Sequence, residues 1–265
     1  MNTIPATPAG QPRPSLGFDI SAGLLVGALS GAFGVGGGIV LVPLLVLLRG
    51  VAQKAAQATS LVVVPIAAVS GAITYAIGGS VWWPALAPLI AGGVLGVLVG
   101  TYVLVRTPDK WLSYSFALLL LAVAGRLVWL GVTGSAASNI ADLSAGWIAA
   151  YLAAGLAMGL VSSLLGVGAG IIVIPLLVTF FGFSQTLAAG TSLAVMIPIA
   201  LLGAWRLTSA GFTNWGQGIR IGLPAAASAV GGASIALVVD ESYLQIGFAL
   251  ILVWAAVELV RKASK

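Results

Sequence analysis

The chain has 265 residues, of which 60% are hydrophobic and 6% are charged, and its mean hydropathy is +1.15. About a quarter of the residues in a soluble domain are charged, so this composition excludes a soluble protein and predicts a polytopic membrane protein of the all-α class. The sequence has no Cys and no His, which removes disulfides and the commonest soft metal ligands, and we expect neither a metal nor a cofactor. The net charge of +5 comes from basic residues that stand singly between apolar segments. That pattern indicates membrane topology and excludes a nucleic-acid surface.

The first segment, residues 1–17, is rich in proline and polar residues. Proline interrupts helices, and such a composition buries too little apolar surface to fold. We therefore predict a disordered cytoplasmic tail. The apolar stretch that follows is longer than the core of a signal peptide, so the pattern does not favour a cleaved leader.

An internal repeat occupies the rest of the chain. A shift of 132 residues places residues 27–45 on residues 159–177, and ten of these nineteen positions are identical. Chance would give roughly two matches in this composition. The repeat predicts two membrane halves, 18–132 and 146–265, joined by an external linker at 133–145.

Each half begins with an apolar stretch that a glycine motif interrupts. Three continuous spans follow, at about 57–78, 84–105 and 111–132, and again at about 189–209, 217–239 and 243–260. If the interrupted stretch were one straight helix, the basic loop residues would divide between both membrane faces, against the positive-inside rule. If it is a hairpin of half-helices, they share one face. We therefore predict two inverted repeats, each a Gly-broken helical hairpin plus three transmembrane helices, with both termini cytoplasmic.

The glycine motifs are candidate anion sites. Several glycines within five positions make a continuous helix costly. The returning half-helix would then present free N–H groups and the positive end of its dipole, with no side chain in the way. Close packing by small residues is the alternative explanation, whereas a phosphate loop is excluded because no Lys follows the glycines. The motif residues are Gly34, Gly36, Gly37, Gly38, Gly166, Gly168, Ala169 and Gly170.

Hydroxyl side chains flank both motifs and begin the spans that follow them. They either donate hydrogen bonds to an oxyanion or bond to the preceding turn of their own helix, as is common in membrane helices. The sequence leaves both explanations open. These residues are Ser30, Ser162, Ser163, Thr59, Ser60, Thr191 and Ser192.

Four prolines and one arginine complete the candidate site. Pro43 and Pro175 lie early in the returning half-helices, and Pro65 and Pro198 lie inside the next spans. Each either shapes the hairpin and its gating or is a tolerated kink. Arg126 is the only basic residue deep within a predicted span, where it either attracts the anion or extends its side chain to the outer interface. The predicted spans contain no nucleophile–base pair or carboxylate pair, so we do not expect an enzyme.

The paired glycine motifs are each followed by Pro-Leu-Leu and then by Thr-Ser-Leu at the head of the next span. This pattern resembles the sulfite exporter TauE/SafE family over about residues 20–262. The family's motif glycines carry over onto the positions named above, with Ala169 in place of the middle glycine of the second copy. The resemblance implies transport of sulfite, sulfoacetate or related small anions across the bacterial inner (plasma) membrane.

The sequence thus predicts a secondary transporter that alternates access around a midplane anion, with sulfite or an organosulfonate as the first candidate substrate. A passive anion channel and a transporter of a small carboxylate are the alternatives. The expected partners are the small anion and the lipid bilayer. The small residues Gly92, Gly93, Gly96 and Gly100 suit either internal packing or a homodimer interface.

Overall fold

The computed structural model describes residues 15–106, 144–166, 168 and 170–263, with single positions between 114 and 129. All regular structure in these residues is helical. The first half contributes α1 (Leu16–Phe33), α2 (Gly38–Arg49), α3 (Gln53–Ile77), a short 3-10 turn (Trp83–Ala85) and α4 (Leu86–Arg106). The second half contributes α5 (Ala145–Leu165), α6 (Gly170–Phe180), α7 (Gln185–Ser209), α8 (Trp215–Ala236) and α9 (Glu241–Ala263).

Six of the described helices are long and apolar enough to cross a membrane, namely α1, α3, α4, α5, α7 and α8. The predicted all-α membrane class is therefore confirmed. By contrast, α2 has 12 residues and is only about 18 Å long at 1.5 Å per residue. Helix α1 begins at Leu16, so the last two residues of the predicted tail are helical. Residues 1–14 and most of 111–132 and 133–145 lie outside the described residues.

Each glycine motif is the turn of a helical hairpin. Helix α1 ends because Gly34 adopts the left-handed conformation, with its N–H donating to Ser30 O over 2.8 Å. Helix α2 then returns, so that the Arg49 guanidinium carbon lies 5.0 Å from the centroid of the Phe18 ring near the start of α1. In the second half the position equivalent to Arg49 is Phe181, which stacks on Tyr151 near the start of α5 with centroids 4.3 Å apart. The chain therefore doubles back twice, as the glycine spacing predicted. The prediction of two half-helices per hairpin was wrong for the entering helix, because α1 and α5 are long enough to cross a membrane and only the returning helices α2 and α6 are short.

The helices that follow the two hairpins pack against each other and run antiparallel. A Cβ on Gly71 of α3 would lie 2.9 Å from Leu193 Cδ1 of α7, and one on Gly203 of α7 would lie 3.0 Å from Leu61 Cδ1 of α3. Gly71 and Gly203 are equivalent in the repeat, as are Leu61 and Leu193. The contact is thus reciprocal, as a two-fold relation between the halves requires.

Small residues join each hairpin to the opposite half. Gly23, Gly27 and Gly31 of α1 face the backbone of α8, while Gly92 and Gly96 of α4 face that of α5. The helices run parallel in both contacts, that of α1 with α8 and that of α4 with α5. The two contacts are repeat equivalents, because α5 corresponds to α1 and α8 corresponds to α4. Of the two uses that the sequence allowed for the α4 glycines, the described residues show internal packing.

Five basic side chains of the described residues lie at one end of the bundle. Lys54 at the start of α3 has its Nζ 6.0 Å from the Phe212 ring centroid, in the connection between α7 and α8. Arg106 and Arg206, near the ends of α4 and α7, line one groove of about 340 Å³. Arg49 and Arg220 lie at the same end through their contacts with the first turns of α1. The short α3–α4 and α8–α9 connections, the second of which carries Asp240, lie at the other end.

Candidate anion-binding site

The first glycine turn has a backbone that side-chain-bearing residues rarely adopt. Gly34, Gly36 and Gly37 have φ angles of 70°, 76° and 69°. In the second turn Gly166 and Gly168 have φ angles of 64° and 73°. Only glycine enters this region without strain, so the motif specifies the break in the helix locally.

The two turns meet in the centre of the protein. A Cβ on Gly36 would lie 3.1 Å from Val64 Cγ1, and one on Gly168 would lie 3.2 Å from the same atom. Both would also collide with the Cε of Met196, the repeat equivalent of Val64. A Cβ on Gly170 would lie 2.5 Å from Val35 Cα. The fold therefore brings together two motifs that are 132 residues apart in the chain.

Each turn also contacts the third helix of the other half. Gly34 lies against the backbone of Ala189 in α7, and Gly166 lies against that of Gln57 in α3. These two contacts are again repeat equivalents. They place the entry of each hairpin turn beside the opposite long span, in an arrangement that leaves room only for glycine.

The returning helix α2 begins with an uncapped, buried N-terminus. Its N-cap residue, Gly37, provides no side-chain cap. The first intrahelical bonds are donated by Val40 and Leu41 to Gly37 O over 3.2 and 3.1 Å. The N–H groups of Gly38 and Ile39 precede these bonds and have no acceptor within the helix. They give this buried point the partial positive charge of a helix N-terminus.

The predicted hydroxyl residues fall into two groups. Ser30 Oγ and Ser60 Oγ are buried and have no hydrogen-bond partner. In contrast, Ser163 Oγ donates to Gly159 O over 2.8 Å, and Thr191 Oγ1 accepts from the backbone N–H of Trp82 over 2.9 Å. Ser192 Oγ lies 3.6 Å from Met196 Sδ. Thr59 and Ser162 are also buried.

The four predicted prolines lie within helices. Of the other two predicted site residues, Arg126 is among the described residues and Ala169 is not. Pro43 and Pro175 lie inside α2 and α6, and Pro65 and Pro198 inside α3 and α7. Arg126 is half-buried at a helical position, and its role in attracting the anion stays a prediction. Ala169 lies outside the described residues.

The long spans carry a set of buried amide side chains that were not predicted from the sequence. Gln57 is fully buried, and neither its Oε1 nor its Nε2 has a partner. Gln53 Nε2 and Gln185 Oε1, which are repeat equivalents at the starts of α3 and α7, are likewise buried without partners. The signal was present in the chain, because Gln53, Gln57 and Ser60 have the i, i+4, i+7 spacing of one helix face.

The structure also contains a buried carboxylate that was not predicted from the sequence. Asp19 in the first turn of α1 is 0% exposed, and its Oδ2 accepts from Arg220 Nε over 2.9 Å. Gln217 Nε2 lies 3.5 Å from Oδ1. This cluster lies at the basic end of the bundle and joins α1 to α8.

The comparison with known families agrees with this architecture. The model of the sulfite exporter TauE/SafE family matches residues 3–127 and 151–265, which together make up most of both halves. The chain belongs to the sulfite exporter TauE/SafE family. The resemblance of the paired glycine motifs is thereby confirmed, and the protein is a membrane transporter of this family.

Curated relatives of this TauE/SafE chain are named as membrane transporters. The chain is 29% identical over 129 residues to "Probable membrane transporter protein YunE" of Bacillus subtilis (strain 168), an alignment that covers 47% of this chain and 46% of that protein. The matched segment is thus less than half the length of that relative. It is 27% identical over 202 residues to a "Probable membrane transporter protein" of Xylella fastidiosa (strain Temecula1 / ATCC 700964), with 76% and 77% of the two chains covered. No solved structure matches the chain at a significant level.

Proposed function

We propose that the protein is a secondary transporter for a small anion, with sulfite or an organosulfonate such as sulfoacetate as substrate. The observation that carries this proposal is the convergence of the two glycine turns on Val64 and Met196. An uncapped helix N-terminus and the unpaired hydroxyls of Ser30 and Ser60 accompany these turns. Neutral donors suit a transported anion, because they bind it without the tight hold of a buried ion pair.

The two halves would be inverted with respect to each other in the membrane. The antiparallel, reciprocal contact of α3 with α7 supports this arrangement, because a two-fold axis perpendicular to membrane-crossing helices lies in the membrane plane. Broken backbone at membrane depth is tolerated only where it is buried in protein or lines a cavity. Motion of one half against the other would then expose the central turns to each face in succession.

The basic end of the bundle would face the cytoplasm of a bacterial inner membrane. Arg49, Lys54, Arg106 and Arg206 lie at that end, as the positive-inside rule requires of cytoplasmic connections. The start of α1 lies there too, which would place the N-terminus in the cytoplasm.

The test is exchange of labelled sulfite or sulfoacetate across proteoliposomes that contain the purified protein, with acetate as the carboxylate control. We expect saturable counterflow of at least one sulfur oxyanion. Ser30→Ala should weaken it, whereas Thr101→Val should not. The Thr101 side chain is also buried, but its hydroxyl bonds to Val97 O over 2.8 Å in its own helix. Non-saturable flux would indicate a channel, selective acetate exchange would indicate a carboxylate transporter, and no flux of any anion would overturn the proposal.

A further inference from the structure

We propose that Gln57 binds the transported anion, donating from its carboxamide Nε2 to an oxyanion oxygen while Ser60 donates from its hydroxyl. This inference rests on the proposed function and adds to it a named side-chain donor and an asymmetry between the halves. The ligand class is a small oxyanion with at least two acceptor oxygens on one centre.

The burial of Gln57 without partners is the first observation. The residue is 0% exposed, and both polar atoms of its amide lack a hydrogen bond. A buried amide with neither group paired opposes folding, because its hydration is lost and nothing replaces it. A bound polar ligand would supply the missing partners, and an unpaired polar side chain inside a membrane protein is a candidate ligand-binding group.

The position of Gln57 is the second observation. Its Cα and Cβ lie against Gly166, the first residue of the second glycine turn. Ser60 and Val64 follow on the same face of α3 at the i+3 and i+7 positions. Val64 contacts Gly36 and Gly168, so this polar face of α3 leads from the second hairpin to the point where the two turns meet.

The chemistry of these groups selects an anion and not a cation. The Gln57 Nε2, the Ser60 hydroxyl and the first N–H groups of α2 are all donors, and the helix N-terminus adds partial positive charge. The Gln57 Oε1 is an acceptor that a proton-bearing oxyanion or an accompanying water would satisfy. Two side-chain donors three residues apart on one face of α3 fit a group with two or three oxygens on one atom, such as a sulfonate or sulfite.

The two halves differ at this position. The repeat equivalent of Gln57 is Ala189, which lies against Gly34 as Gln57 lies against Gly166. The first half therefore supplies an amide donor where the second supplies only a methyl group. A two-fold arrangement of backbone would thus hold one oxyanion group off-centre, on the side of α3.

The experiment compares the wild type with Gln57→Met, Gln57→Glu and Thr101→Val in the proteoliposome exchange assay, together with thermal unfolding of the purified proteins without anion. Gln57→Met retains an unbranched side chain of similar length and removes both polar groups. We expect the KM for the transported anion to rise about 10-fold, the loss of one hydrogen bond to a charged ligand. The Tm of the anion-free protein should stay the same or rise. Thr101→Val should leave the KM unchanged.

Gln57→Glu places a carboxylate where the anion would bind. We expect exchange to be lost at neutral pH because like charges repel. A Gln57→Met protein with a KM within twofold of the wild type would overturn the role of Gln57 in binding. If its Tm is also lower, the role of Gln57 is structural. Absence of exchange in the wild type would instead contradict the proposed function, so the two failures are distinguishable.

Discussion

Arg220 donates from its Nε to Oδ2 of Asp19 over 2.9 Å, and this ion pair connects α8 of the second half with the first turn of α1. The Asp19 side chain is fully buried, whereas that of Arg220 is 40% exposed. The repeat equivalent of Asp19 is Tyr151, which stacks on Phe181 with centroids 4.3 Å apart. At these equivalent positions an ion pair joins the first hairpin to α8, whereas an aromatic contact joins the two arms of the second hairpin.

Loss of Arg220 should destabilise the protein. In Arg220→Met the buried Asp19 carboxylate keeps only the long contact with Gln217, and we expect a loss of about 1–3 kcal/mol, reduced from a fully buried pair because Arg220 is partly in solvent. Thermal unfolding in detergent measures this. The double variant Asp19→Asn/Arg220→Met should recover part of the loss. Arg206→Met, at an exposed arginine, is the control. If it destabilises the protein as much as Arg220→Met does, the ion pair has no special role.

The first glycine turn can be tested with two glycines that share one backbone conformation. Gly37 and Gly79 both have a φ of 69°. A Cβ on Gly37 would lie 2.5 Å from Val26 Cγ1 and 2.8 Å from Val26 O, whereas one on Gly79 would meet nothing within 4 Å. Gly79→Ala should therefore cost only the left-handed strain, about 1–2 kcal/mol, and leave anion exchange intact.

Gly37→Ala should cost more, because the Val26 backbone cannot yield as a flexible side chain can. We expect a lower Tm than that of Gly79→Ala and strongly reduced exchange in the protein that folds. Equal unfolding temperatures and equal exchange rates in the two variants would contradict the packing of the turn against α1.

The reciprocal contact between α3 and α7 predicts matched effects at equivalent positions. Gly71→Ala and Gly203→Ala each press on the end of one leucine side chain, at 2.9 and 3.0 Å, so we expect small and similar losses of stability. Gly96→Ala should be worse, because its Cβ would meet Leu156 O and lie 2.7 Å from Leu160 N. Thermal unfolding of the three variants in parallel would detect this order, and a mild effect at Gly96 would argue against close α4–α5 packing.

The sidedness of the connections can be measured by labelling, because the chain has no native Cys. Single cysteines at the exposed positions Ala52 and Ser209 should react only with a membrane-permeant reagent in intact cells. Those at the exposed positions Ser144 and Val238 should also react with an impermeant one. Ala52 and Val238 labelled from the same side would exclude the inverted arrangement.

The sequence by itself determined the class, the duplication and the break in the first helix of each half. Hydropathy and helix length depend on local composition, and the left-handed φ angles of Gly34, Gly36 and Gly37 follow from a residue type that alone tolerates them. These properties can be inferred without knowing which helices pack against each other. The family follows from the same local motifs.

Tertiary structure alone decided which polar groups have partners. Ser163 and Thr191 looked equivalent to Ser30 and Ser60 in the sequence, yet the first two are hydrogen-bonded and the last two are not. Ser163 bonds to Gly159 in the preceding turn of its own helix, whereas the partner of Thr191 is Trp82, which lies far away in the chain. The meeting of the two turns at Val64 and Met196 and the ion pair of Asp19 with Arg220 have the same origin. Each depends on how helices from opposite halves pack, and the local pattern of residues does not encode that packing.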